Sequence, residues 1–153
     1  MSKYVKIQDF YSGFLSIPNC KTASDVSLAV QSVIDEYEPD IYRQIFGLKI
    51  ASEMFAENPK DWAKTIAQEF VKTAKYGIFA YWITYNSQRL TEAGMVAETS
   101  AISRNVGSME RFVDAWNMYI DRAKEALHNL DKKQIPSGYK IHSNLKYTNI
   151  FGI

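Results

Sequence analysis

Apolar residues recur along most of the chain at the spacing of an α-helix, and this periodicity is the first guide to the fold. Behind a capping residue at Thr22 or Ser24, five apolar side chains follow on one helical face: Val26, Val30, Val33, Ile34 and Tyr37. The pattern predicts that Pro39 ends this helix and opens a second one, since proline is tolerated in a first turn. The second helix carries Ile41, Ile45, Leu48 and Phe55, with Gly47 inside it as a bend or a point of close packing.

Two longer helices are predicted in the second half of the chain. A third helix begins at Asn58-Pro59 and runs to about Arg89, with a buried face formed by Trp62, Ile66, Phe70, Ala74, Ile78, Tyr81 and Tyr85. Residues 91–107 contain two glycines and many Thr and Ser, which predicts a long loop or a short strand pair. Ser108 is then expected to cap a fourth helix, whose apolar positions are Phe112, Val113, Trp116, Ile120, Ala123, Leu127 and Leu130.

The two ends of the chain do not share this periodicity. Residues 1–22 predict an irregular or short-strand arm, and its aromatic side chains are expected to dock on the body: Tyr4, Phe10, Tyr11 and Phe14. Pro136-Ser137-Gly138 breaks the chain again, and an extended tail follows. We therefore expect an all-α bundle of four to five helices, organised as an arm (1–22), a helical domain (23–131) and a C-terminal tail (132–153).

Length and charge narrow the class of protein. A chain of 153 residues fits one domain with its own core. Its net charge of +1 is uneven, because four lysines and one aspartate from Asp131 onward give +3 and leave −2 for residues 1–130. A basic tail on a near-neutral body suits an acidic partner or transient, non-specific contact with DNA, whereas a dedicated DNA-binding domain is usually more basic.

Targeting and redox signals are few. Residues 1–10 carry three charges and no apolar core of a signal peptide, and no stretch approaches 18 uncharged apolar residues, so we expect no membrane partner. Cys20 is the only cysteine, which excludes an intramolecular disulfide and fits a reducing compartment. Because no histidine or second cysteine lies near it in sequence, we expect a buried thiol rather than a nucleophile.

The strongest candidate for a metal site is Glu125-x-x-His128, which has the spacing of carboxylate and histidine in di-iron helical bundles. Such a site needs a second copy of the motif, and the other histidine, His142, lies past the proline-glycine break. The chain also contains no phosphate-binding glycine loop, zinc-protease motif or nucleophile elbow. We therefore expect no catalytic residue, no metal and no cofactor. A small helical enzyme using Glu125 and His128 is the rival interpretation.

Two surface features suggest contacts instead. Lys60, Lys64, Lys72 and Lys75 fall on one stripe of the predicted third helix, which is either a solvated face or a face turned toward a DNA channel. The chain closes on an apolar hook, Asn149-Ile150-Phe151-Gly152-Ile153, and large apolar side chains of this kind are usually buried by the body or by a partner. We expect these five residues to form a partner interface.

Five stretches of the sequence, in order, are similar to a known family. They are Val33–Pro39 leading to Ile45–Leu48, Ala80–Trp82, Thr91–Gly94, Val113–Asn117 and the ending Asn149–Ile153. Together they span roughly residues 26–153. They resemble the head–tail connector proteins of tailed bacteriophages (also called adaptor or head-completion proteins), most nearly versions in phages of Bacteroidetes.

The resemblance implies a structural virion protein without catalysis or a cofactor. Such proteins form a ring, often of twelve copies, beneath the portal protein, where they extend the DNA channel and bind tail or neck proteins. The chain would then lie in the host cytoplasm before assembly and in the virion afterwards. The family has no strict functional residues, so interface segments rather than a site follow from it. A helical nucleic-acid-binding or DNA-packaging module is the alternative, and it requires the lysine stripe or the basic tail to face DNA.

Overall fold

The structure is a computed structural model of the chain. It describes residues 2–21, 24–92 and 98–149, together with their side chains except at 87–92 and 98–108. Five α-helices follow in chain order: α1 (Asp25–Phe46), α2 (Leu48–Phe55), α3 (Asp61–Glu69), α4 (Val71–Glu92) and α5 (Glu98–Asn129). Short 3-10 turns occupy Ile7–Phe10 and Lys132–Gln134, and no strand occurs in the described ranges. The prediction of an all-α bundle is confirmed.

Helix α1 begins where the sequence predicts and ends later. The Ser24 hydroxyl accepts a hydrogen bond from the Ser27 N–H, so Ser24 is the cap. The prediction that Pro39 separates two helices was wrong, because Pro39 lies inside α1. Ile34 and Ile41 on either side of it are fully buried. Continuing the helix keeps both on one apolar face, and this packing outweighs the backbone hydrogen bond that proline forfeits.

Gly47 separates α1 from α2 instead of lying within one helix. Its N–H donates to the Arg43 carbonyl at 2.8 Å, and its φ of 86° and ψ of 167° turn the chain into α2. The predicted bend and the predicted close packing both occur at this residue. A Cβ atom there would lie 2.9 Å from the Cβ of His142, so the C-terminal tail passes directly over it.

The predicted third helix is two helices in the structure. α3 starts at Asp61, after Asn58-Pro59. The helix is interrupted at Phe70, and α4 then continues to Glu92. Phe70 is almost fully buried and meets the ring of Phe46 edge-on, with centroids 4.6 Å apart. The break places this ring against the end of α1, a contact that local helical periodicity does not encode.

α5 begins ten residues before the predicted cap at Ser108. The loop or strand pair predicted near 91–107 was therefore wrong for 98–107, which are helical, while residues 93–97 lie outside the described part. α4 and α5 pack antiparallel, since Gly77 faces Tyr119 and Tyr81 faces Trp116. α1 runs antiparallel to α4, with Tyr37 against Tyr81.

The N-terminal arm docks on the bundle, as its aromatic content predicts, with one exception. It buries five apolar side chains: Val5, Phe10, Leu15, Ile17 and Cys20. The exception is Phe14, which is 80% exposed. Cys20 is a buried free thiol, and burial raises its pKa, so the expectation of an unreactive cysteine fits its surroundings.

Candidate functional site: the C-terminal tail and its docking surface

The C-terminal tail crosses the bundle surface as an extended segment from Lys140 to Asn149. It follows the turn at Gly138, whose φ of 100° only glycine adopts easily. The tail then runs over the junction of α1 and α2 and continues along α5. The predicted break at Pro136-Ser137-Gly138 and the extended tail after it are both present.

Tyr139 anchors the start of the tail through four side chains, which we call the Tyr139 box: Lys49, Glu53, Lys60 and Trp62. The Tyr139 hydroxyl donates to Glu53 Oε1 at 2.7 Å and accepts from Lys60 Nζ at 2.9 Å. Lys60 and Glu53 also form an ion pair at 3.0 Å. The Trp62 ring lies 4.9 Å from the Tyr139 ring, and Lys49 Nζ lies 4.8 Å from the centroid of the Tyr139 ring while donating to the Gly138 carbonyl. The box fixes the point from which the tail departs.

Two backbone hydrogen bonds fasten the middle of the tail to the end of α1. The His142 N–H donates to the Phe46 carbonyl at 3.1 Å, and the Asn144 N–H donates to the Gln44 carbonyl at 2.8 Å. Terminal carbonyls of a helix lack partners within the helix, and here the tail satisfies two of them. Because these bonds join backbone groups, they depend little on side-chain identity, and the sequence does not predict them.

The last described part of the tail pairs with α5. Trp116 Nε1 donates to the Lys146 carbonyl at 2.9 Å. The Asn117 side chain donates to the Thr148 carbonyl at 3.0 Å and accepts from the Thr148 N–H at 2.9 Å, so it holds both backbone groups of this one residue. The Tyr147 hydroxyl donates to Asp121 at 2.6 Å. The tail therefore reaches residue 149 in a defined place, beside Asn117 of α5.

The predicted interface hook lies at the edge of the described residues. Asn149 is exposed, and Ile150–Ile153 lie outside the described part of the chain. The structure therefore places the tail on the bundle as far as Asn149, the first residue of the hook.

An aromatic row beneath the tail joins α1, α4 and α5. The rings of Tyr37 and Tyr81 stack with centroids 4.0 Å apart and planes 9° from parallel, and Trp116 meets Tyr81 edge-on at 5.6 Å. Gln44 donates to the Tyr81 hydroxyl and accepts from the Tyr119 hydroxyl. Burial raises the pKa of Tyr81 and of Tyr119, so both remain neutral hydrogen-bonding groups. Trp116 of this row contacts the tail through its hydrogen bond to the Lys146 carbonyl.

The four lysines predicted on one helical stripe do not lie on one helix. Lys60 immediately precedes α3 and Lys64 lies within it, whereas Lys72 and Lys75 belong to α4 beyond the break at Phe70. Lys60 is engaged in the Tyr139 box, and Lys75 lies 3.9 Å from a carboxylate oxygen of Asp9 in the arm. Lys64 and Lys72 are exposed. A continuous basic face along a single helix is therefore not present.

The Glu125-x-x-His128 pair lies on the solvent side of α5. Both residues are exposed, and Glu125 pairs with Arg122 at 3.7 Å. Among the residues that the structure describes, no group of three His, Cys, Asp or Glu could hold a metal ion. The structure thus does not bring together a ligand set around this motif.

Glu38 holds the N-terminal arm on the bundle, a role that the sequence did not lead us to predict. Its carboxylate is fully buried and accepts the backbone N–H groups of Lys3, Tyr4 and Val5 at 2.7, 2.9 and 2.6 Å. It therefore fixes the start of the N-terminal arm on α1. A signal was available, because Glu38 stands four residues after Ile34 and three before Ile41, on the apolar face.

The Tyr139 box should make docking of the tail depend on pH. Hydrogen bonds from Tyr139 and then from Lys60 lower the pKa of Glu53 from 4.5, so its contribution is present at neutral pH and is lost as the pH falls through this lowered pKa. We expect the Tyr139 ring resonances and the His142 amide to move together in that acid range in an NMR titration. Glu53→Gln should abolish this step. An unchanged step in Glu53→Gln would show that another group is responsible.

No protein-family model matches the chain, and no significantly similar curated protein or solved structure was found. Within the described ranges, none of the helices is both long and apolar enough to cross a membrane.

Proposed function

We propose that this chain is a structural protein of the bacteriophage neck. In this proposal it forms a ring of twelve copies below the portal, extends the DNA channel and joins head to tail. It occupies the host cytoplasm before assembly and the virion afterwards, and it acts without a cofactor or a chemical step. The resemblance described above is the starting point, and the contacts among the resembling stretches support it.

The observation that carries the proposal is that three of the five resembling stretches meet and hold the chain immediately before the fifth. Tyr37 of the first stacks on Tyr81 of the second, which meets Trp116 of the fourth edge-on. Asn117, the next residue of the fourth, grips Thr148, which immediately precedes the fifth. Residues more than 100 positions apart in the sequence, from Tyr37 to Thr148, therefore form one continuous set of contacts that positions the tail.

The form of the tail also suits assembly. It is an extended segment held on a finished helical body, and several of its bonds use backbone groups rather than particular side chains. A neighbouring protein can therefore contact the tail and the hook beyond it without unfolding the bundle. Burial of Ile150, Phe151 and Ile153 could each contribute about 1.5–3 kcal/mol before ordering costs. A ring repeats such a contact in every copy.

The alternative, a nucleic-acid-binding or packaging module, has less support. It relies on a basic face, but Lys60 is engaged with Glu53 and Lys75 lies near Asp9. Exposed lysines elsewhere still allow weak contact with DNA.

DNA binding should therefore be weak and independent of sequence. Because the net charge is only +1, few phosphates can be neutralised at once, and binding to a short duplex should vanish by physiological salt. Fluorescence anisotropy at rising salt, with two unrelated duplexes, measures this. Tight binding that distinguishes the two duplexes would favour the alternative.

Co-purification tests the proposal itself. The tagged chain, expressed together with the portal protein encoded alongside it, should elute with the portal as a complex whose mass fits a ring bound to a ring. Light scattering on the eluted peak gives the copy number. A chain that elutes apart from the portal under these conditions would contradict the proposal.

A further inference from the structure

An apolar groove lies between α4, α5 and the N-terminal arm, on a part of the surface the tail does not cover. Its lining is largely apolar: Leu15, Tyr76, Phe79, Ile83, Ala115 and Met118, beside the exposed ring of Phe14. The groove has a volume of about 180 Å³. Phe14 is 80% exposed and Met118 is 36% exposed, although Leu15 and Ile17 beside Phe14 in the arm are buried. We call this surface the Phe14 groove.

The described tail leads toward the groove. Thr148 is gripped by Asn117, and Met118 of the groove is the next residue of α5, turned about 100° around the helix. The tail backbone crosses α5 from Trp116, which holds the Lys146 carbonyl, to Asn117, which holds Thr148. Continuing in this direction around the helix leads to Asp114 and Met118, both of which line the groove.

The remaining chain is long enough to enter the groove. Residues 149–153 follow the grip on Thr148, and five extended residues span roughly 16 Å. A helix with its side chains is about 10 Å across, so the segment can cross the exposed side of α5. The apolar side chains it brings are Ile150, Phe151 and Ile153. They match the apolar lining of the groove.

We propose that the Phe14 groove binds the apolar side chains of the hook of the same chain, Ile150, Phe151 and Ile153. The hook of the same chain is the preferred occupant over one from a second copy. The grip of Asn117 on Thr148 holds it at a high local concentration next to the groove. The inference goes beyond the proposed function, because it concerns the isolated chain, before the hook leaves the groove to contact a neighbouring protein, and it holds whether or not the protein joins a phage neck.

Disulfide trapping tests the location of the hook. The pair Phe151→Cys and Ala115→Cys should form an intramolecular disulfide under mild oxidation, at least five-fold more than the control pair Phe151→Cys and Ser52→Cys. Ser52 is exposed on α2, and the native Cys20 is 1% exposed and can remain. Non-reducing electrophoresis separates linked monomers from dimers, and peptide mass spectrometry identifies the linked residues. Equal linking in both pairs overturns the proposal. A predominant dimer linked through 115 and 151 also overturns it and assigns the groove to a second copy.

A second measurement keeps the proposal falsifiable if a cysteine variant misfolds. The full chain labelled at its methionine methyl groups should show a shifted Met118 methyl resonance in Phe151→Leu, because the aromatic ring that shields it is gone. The methyl of Met54, which is fully buried in the core, serves as the internal control and should not move. An unchanged Met118 resonance would overturn the proposal.

Discussion

Replacing Glu38 with glutamine should lower the free energy of unfolding by about 3 kcal/mol and the Tm by roughly 10 °C. The carboxylate of Glu38 offers two acceptor oxygens to three backbone N–H groups, those of Lys3, Tyr4 and Val5. An amide keeps one acceptor and turns its own N–H donors toward these donors. Because the site is fully buried, water cannot replace the lost partner without opening the arm.

Thermal unfolding followed by circular dichroism measures this effect, and hydrogen exchange at residues 3–5 shows whether the arm has been released. Glu36→Gln is the matched control, since it removes the same charge from an exposed position of α1. If Glu38→Gln melts within a degree or two of Glu36→Gln, the arm is not held by its pairing with this carboxylate.

Replacing Gly47 with alanine should loosen the tail and destabilise the bundle together. At φ 86° and ψ 167°, an alanine carries backbone strain of about 2 kcal/mol. Its Cβ would also lie 2.9 Å from the Cβ and 3.1 Å from the carbonyl oxygen of His142, so the tail backbone must move away. We expect His142 and Asn144 to lose amide protection against hydrogen exchange, because their bonds to α1 depend on this close approach.

Gly13→Ala provides the control for strain alone. Gly13 also has a positive φ, 89°, but a Cβ there would meet no atom within 4 Å. It should lower stability without affecting exchange at His142 or Asn144. If Gly47→Ala retained full protection at both amides, the close packing of the tail on Gly47 would not be what seats it.

Local patterns in the sequence identify the helices but not where they break. Ser24 caps α1 as its side chain and position predict. Pro39 and Phe70 depart from prediction for the same reason, which is that long-range packing decides between a continuing and an interrupted helix. Ile34 and Ile41 keep α1 intact across the proline, and contact with Phe46 accompanies the break at Phe70.

The candidate site shows the same limit. The sequence marks the tail by its break, its charge and its apolar ending, and these suffice to predict that it contacts something. The sequence does not reveal that Lys60 meets Tyr139, because these residues are 79 positions apart and no local pattern links them. Nor does it reveal the grip of Asn117 on Thr148, which is 31 positions away. Such pairings appear only once the helices are assembled.

The hook beyond the tail provides the most direct test of the central claim, that this chain assembles into the phage neck through its C-terminal segment. Two variants should be compared with the full chain: deletion of Asn149–Ile153, and a length-matched variant with serine at 150, 151 and 153. Helicity by circular dichroism and incorporation into portal-containing particles are measured on the same preparations. If the hook forms the neck interface, both variants should keep their helical signal and fail to enter the particles. Incorporation of either variant at the level of the full chain would contradict it.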